Sequence, residues 1–101
     1  MTTEIRTIIF DYIHKHICYH IDDTEIAVQL LYNVYTDIDS MFCDYITDND
    51  RDRIEVEINM YADKYSLDAR IIVHNKYSFT VDTVQSYTIY VDMLEDIIIE
   101  E

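Results

Sequence analysis

The chain has no glycine, no proline and no tryptophan, only two cysteines, and 7 lysines and arginines against 21 aspartates and glutamates. Each scarcity excludes something. Without glycine there is no loop in which successive backbone N–H groups can cradle a phosphate, so the common nucleotide-binding motifs are excluded. Without glycine or proline, helix and strand interiors run uninterrupted, and turns must be built by Asn, Asp, Ser, Thr or Lys. Left-handed conformations at helix ends are then expected on Asn or Asp. Cys18 and Cys43 make no disulfide framework and are expected as free thiols in a reducing compartment. The opening segment, with Glu4 and Asp11, lacks the cationic start of a signal peptide. No apolar run approaches the roughly 18 to 20 residues that cross a bilayer. The expected location is cytoplasmic, in a host cell if the source is a virus.

The shortage of bases leaves a net charge of −14. A negative potential over most of the surface repels nucleic acid and anionic membranes and draws basic proteins inward. Direct nucleic-acid or membrane binding is therefore not expected. The usage of Ile, Tyr, Asp, Asn and Thr implies AT-rich coding, which suits a virus or mobile element as well as many bacteria.

Half of the 101 residues are hydrophobic, enough for one core and one domain spanning residues 1–101. The stretch from Asp22 to Glu57 organises the rest. Ile26, Ala27, Leu30, Leu31, Val34, Ile38, Met41, Phe42 and Tyr45 recur at steps of three and four, the stripe of a long amphipathic helix. Asp22 with Glu25 has capping-box spacing at its start. Before it, Thr2 or Thr3 caps a first helix reaching about Tyr19, with the stripe Ile5, Ile8, Ile9, Tyr12, Ile13, His16 and Ile17. Arg51 to Tyr65 alternates like a strand at Ile54, Val56, Ile58 and Met60, yet Ile54, Ile58, Tyr61, Ala62 and Tyr65 share a helical face. The acids before it favour a helix, because carboxylates suit a helix N-terminus.

Three β-rich runs follow, at 69–74, 77–83 and 87–92, joined by Asn75-Lys76 and Val84-Gln85-Ser86. The end, Met93 to Glu101, reads as a short helix or a last strand. The expected fold is α+β, with two or three N-terminal helices packed on a C-terminal antiparallel three-stranded meander. Its expected core is Ile9, Ile13, Leu30, Val34, Ile38, Phe42, Ile72, Phe79, Val81 and Ile89.

Few constellations carry chemistry. On a helix, alternate residues lie about 200° apart, so His14, His16, Cys18 and His20 divide into two pairs rather than four converging metal ligands. Cys18 has histidines nearby in sequence but no signature turn to activate it, and no pair of carboxylates stands out as acid and base. No cofactor, metal or enzymatic activity is expected. Ten tyrosines, among them Tyr32, Tyr35, Tyr45, Tyr61, Tyr65, Tyr87 and Tyr90, serve either the core edge or an interface.

The acids Asp37, Asp39, Asp44, Asp48, Asp50, Asp52, Glu55 and Glu57 crowd together against only Arg51 and Arg53. Carboxylates at helical spacing stand about 5 to 6 Å apart. Duplex DNA shows one charge per roughly 1.7 Å of axis. In size, charge and this acidic stretch the chain resembles the small acidic inhibitors of phages and mobile elements: anti-CRISPR, anti-restriction and uracil-DNA-glycosylase inhibitor proteins, several of them DNA mimics. The resemblance implies a non-enzymatic inhibitor, monomeric or homodimeric, whose eight acids meet a basic nucleic-acid-binding partner of the nuclease or CRISPR-effector type. The alternatives are an immunity protein or antitoxin that neutralises a basic toxin, and a viral accessory protein that self-associates through a sheet edge.

Overall fold

A computed structural model describes the backbone of residues 1–83, 88–92 and 98–100, and the side chains of residues 1–83. Helix α1 runs Thr3–His16, and Thr2 caps it by accepting the Ile5 N–H at 3.2 Å. It ends short of Tyr19, and Ile9, Ile13 and the following Ile17 are buried. Helix α2 spans Thr24–Phe42. Its cap is Asp23 rather than Asp22: Asp23 Oδ1 accepts the N–H groups of Glu25 and Ile26 at 2.9 and 3.2 Å.

After a 3-10 turn at Cys43–Tyr45, helix α3 covers Asp48–Lys64. The ambiguous segment is thus helical, and it starts at Asp48 instead of Arg51. Its stop is a Schellman motif: Leu67 N–H reaches the Ala62 carbonyl at 2.9 Å and Ser66 N–H the Asp63 carbonyl at 3.1 Å. The left-handed residue is Ser66, at φ 57°, and not the Asn or Asp expected.

Strands β1 (Arg70–Asn75) and β2 (Ser78–Asp82) form an antiparallel hairpin in which Ile71 faces Val81 and Val73 faces Phe79. The backbones of β3 (Thr88–Asp92) and β4 (Ile98–Glu100) continue the sheet in the order β1-β2-β3-β4. The domain is α+β, helices first and antiparallel sheet after. The connection 84–86, most of the segment from Met93 onward and the side chains of Tyr87, Ile89 and Tyr90 lie outside the described residues.

The core lies between α2 and the helix-facing side of the hairpin, with α1 and α3 closing it. Two phases differ from expectation. In α2 the buried side is Ala27, Val28, Leu31, Val34, Tyr35, Ile38 and Asp39, so Ile26, Met41 and Tyr45 stand exposed while Leu30 and Phe42 are half-buried. The stripe is wide enough to face either way, and α1 and the sheet select the side that brings Tyr35 against Phe79, with ring centroids 4.6 Å apart. In β1 the unbroken run Ile71-Ile72-Val73 carries no alternation of its own. Pairing with β2, whose Phe79 and Val81 face the helices, buries Ile71 and leaves Ile72 39% exposed.

Helix α3 also closes the free edge of β1. Asn59 Nδ2 donates to the Ile71 carbonyl and Asn59 Oδ1 accepts the Ile71 N–H, both at 2.8 Å. Glu55 Oε1 accepts the Val73 N–H at 2.5 Å. Backbone groups that a second strand would use are therefore taken from within.

Candidate functional site

The eight candidate acids fall on the corner formed by the end of α2, the 3-10 turn and the first half of α3. Asp44, Asp48 and Asp52 are exposed, as is Asp37. Glu57, on α3, is half-buried. Asp48 and Asp52, four residues apart on one helix, set their carboxylates side by side. Asp37 accepts a hydrogen bond from the Tyr12 hydroxyl at 2.6 Å. Burial, and then this carboxylate, push the Tyr12 phenol up to about 12.

The other three acids do not belong to the surface set. Asp39 is 9% exposed and paired with Arg51, which is 2% exposed. Arg51 Nη1 donates both to Asp39 and to the Tyr35 hydroxyl, the latter at 3.0 Å. Burial alone would lower the guanidinium pKa, but the hydrogen bonds to Asp39 and Tyr35 outweigh it and the pKa is raised. Asp50 closes a capping box with Thr47: its Oδ2 accepts the Thr47 N–H at 2.8 Å, while its own N–H reaches Thr47 Oγ1 at 3.2 Å. The same carboxylate accepts the Met1 amino group at 2.9 Å. The Thr47 N–H, followed by that amine, holds the Asp50 carboxyl below its usual range. Glu55 is engaged on the edge of β1.

Removing Arg51 from the surface has an electrostatic consequence. Between Asp37 and Asp52 it is the only base in the sequence, so every exposed charge of that stretch is negative. Among these charges stand two apolar side chains, Met41 at 50% and Tyr45 at 63% exposure. Periodicity could not mark them, since both sit on the expected apolar stripe. The rotation of α2 turns Met41 outward, and Tyr45 stands exposed in the 3-10 turn that follows. The remaining tyrosines divide: Tyr35 is buried, Tyr32, Tyr61 and Tyr65 are half-buried, and Tyr19 and Tyr77 are exposed.

The histidines separate further than their spacing implies. His14 stacks on Tyr61 at 5.0 Å and His16 on Tyr12 at 4.0 Å. His20 donates from Nδ1 to the Tyr65 carbonyl at 2.9 Å and from Nε2 to Asp22 at 2.6 Å. Both partners are acceptors, so the imidazolium form satisfies both bonds. The Tyr65 carbonyl first, and then Asp22, raise the His20 pKa. Cys18 Sγ donates to the Lys15 carbonyl at 3.3 Å. Among the described residues no three His, Cys, Asp or Glu side chains converge on a common point that could hold a metal ion, and no helix is long and apolar enough to cross a membrane.

What the corner offers is a set of exposed carboxylates, with Met41 and Tyr45 exposed in the same stretch of chain. No protein-family model, no curated protein and no solved structure matches the chain.

Proposed function

We propose that this chain is a non-enzymatic acidic inhibitor that binds a basic nucleic-acid-processing or host-defence protein, in the manner of anti-CRISPR or anti-restriction proteins. Its exposed carboxylates occupy the groove in which the target holds a phosphate backbone. The observation that supports this reading is the α2–α3 corner, where Asp44 and Asp48 face solvent and Arg51, the base nearest them in sequence, is buried. Met41 and Tyr45 supply apolar contact area that charge alone does not, because a bound charge array gains affinity chiefly through desolvated anchors. Asp39, Asp50 and Glu55 hold the corner in shape from behind. The proposed place of action is the host cytoplasm.

The test is capture of the target from a host lysate, followed by competition with nucleic acid. Reversal of Asp44 and Asp48 together should weaken capture strongly, whereas reversal of Glu4 and Asp11 on α1 should change it little. Association should slow as salt rises, since steering acts over a Debye length of about 8 to 10 Å near physiological ionic strength. A ternary complex of target, nucleic acid and this chain, formed without competition, would refute mimicry and favour an immunity-protein or antitoxin role.

A further inference from the structure

Helix α3 carries two apolar side chains that the core does not use: Val56 is 62% and Met60 50% exposed. Val56 and the half-buried Phe10 line a groove of about 270 Å³ between α3 and α1. The same two helices are fastened one turn along by the His14–Tyr61 stack. The rim of the groove is Arg6, Arg53, Asp52 and Glu57. Arg6 lies over the Phe10 ring at 5.2 Å, and neither Arg6 nor Arg53 is in an ion pair with a described residue.

That combination is unusual for this chain. Acids outnumber bases threefold, 21 to 7, yet this rim carries two of each and is formally neutral. Two copies at −14 repel each other across most faces. At the groove the local charges cancel, and a twofold axis through it sets each copy's Arg6 and Arg53 against the other copy's Asp52 and Glu57. An isologous contact requires a patch complementary to itself, and an apolar floor within a balanced rim meets that requirement. We propose that the α1–α3 groove is the contact face of a twofold homodimer. Dimerisation through the β1 edge is disfavoured, because Asn59 and Glu55 already occupy its backbone groups.

Sedimentation equilibrium on the purified chain, from micromolar to millimolar concentration, tests this without the inhibitor's target. The expected result is a monomer–dimer equilibrium that tightens as salt rises from low to physiological, because salt screens the long-range repulsion between like-charged bodies. This is the opposite trend to that expected for binding a basic target. Val56→Glu should weaken the dimer at least about tenfold by placing a carboxylate in the apolar floor. Arg6→Glu/Arg53→Glu and Asp52→Lys/Glu57→Lys should each be monomeric alone and should form a heterodimer when mixed, which also shows that both variants fold. A wild-type chain monomeric throughout would overturn the proposal. So would a dimer indifferent to Val56→Glu, or a mixture that stays monomeric where the wild type dimerises.

Discussion

At the α2–α3 corner Asp39, Asp50 and Glu55 turn into the protein, whereas Asp44, Asp48 and Asp52 turn out of it. The two sets share a residue type and alternate within a short stretch of chain, yet their partners differ completely. Each inward carboxylate completes something the backbone or a buried base requires: a guanidinium, a helix N-terminus, a strand edge. The carboxylates of Asp48 and Asp52 make no hydrogen bond to any described residue, and that of Asp44 meets only the Cys43 thiol at 3.9 Å. An acid already engaged within the fold cannot also replace a phosphate without a loss of stability. The count of carboxylates in the stretch therefore overstates the surface a partner meets.

The contrast is sharpest at Arg51. Arg51→Ala should destabilise the protein by about 3 to 5 kcal/mol, read from urea unfolding, because it leaves Asp39 uncompensated in the interior. Replacing the pair by Arg51→Met with Asp39→Leu should recover most of that loss. Arg51 Nη2 has no hydrogen-bond partner in the fold, so the native pair carries an unmet desolvation cost that an apolar pair lacks. A double variant as unstable as Arg51→Ala would contradict this account.

The same inward and outward division applies to the apolar residues of α2. Leu31, fully buried, should lose about 2 to 5 kcal/mol on substitution by Ala. Leu30→Ala should cost clearly less, since Leu30 is only half-buried. Equal losses at the two positions would mean that the helix faces the other way.

Asp50 contributes less, and its contribution depends on pH. Asp50→Ala removes the capping box and the contact with the Met1 amine and should cost about 1 to 2 kcal/mol at neutral pH. The folded-state pKa of Asp50 is lowered, so its stabilisation is fully present above the ordinary carboxylate range. It is lost as pH falls through the lowered value. The stability gap between wild type and Asp50→Ala should therefore close in acid, and unfolding curves at several pH values would reveal a gap that stays constant instead.

The smallest effect on stability is expected on the outer side. Asp44→Asn with Asp48→Asn should shift stability by no more than about 0.5 kcal/mol, since neither carboxylate has a hydrogen-bonded partner beyond the Cys43 thiol and the helix-dipole contribution of Asp48 at the start of α3 is only a few tenths. A loss above about 1 kcal/mol in thermal unfolding would place them in the structural set beside Asp50.

The order of helices and then strands, the helical nature of the segment before Lys64, a threonine cap at residue 2 or 3 and the β1–β2 hairpin were all legible in the residues. They follow from local chemistry: hydroxyls at helix starts, apolar periodicity, and polar residues between β-rich runs. The candidate acids were legible only as a group. Nothing near Asp39 in the sequence distinguishes it from Asp37 or Asp44, because its partner Arg51 lies on another helix.

The sequence alone determined that the molecule would be strongly negative and would build an α+β core, since both depend on counts and periods that any conformation inherits. Only the tertiary structure decided which carboxylates remain for a partner, that Ile71 and not Ile72 enters the core, and that Met41, Tyr45, Val56 and Met60 stay outside it. Those choices depend on the rotation of α2 and α3 and on the phase of β1. A wide apolar stripe or an unbroken apolar run leaves such rotations and phases open until a neighbouring element packs against it and buries one side.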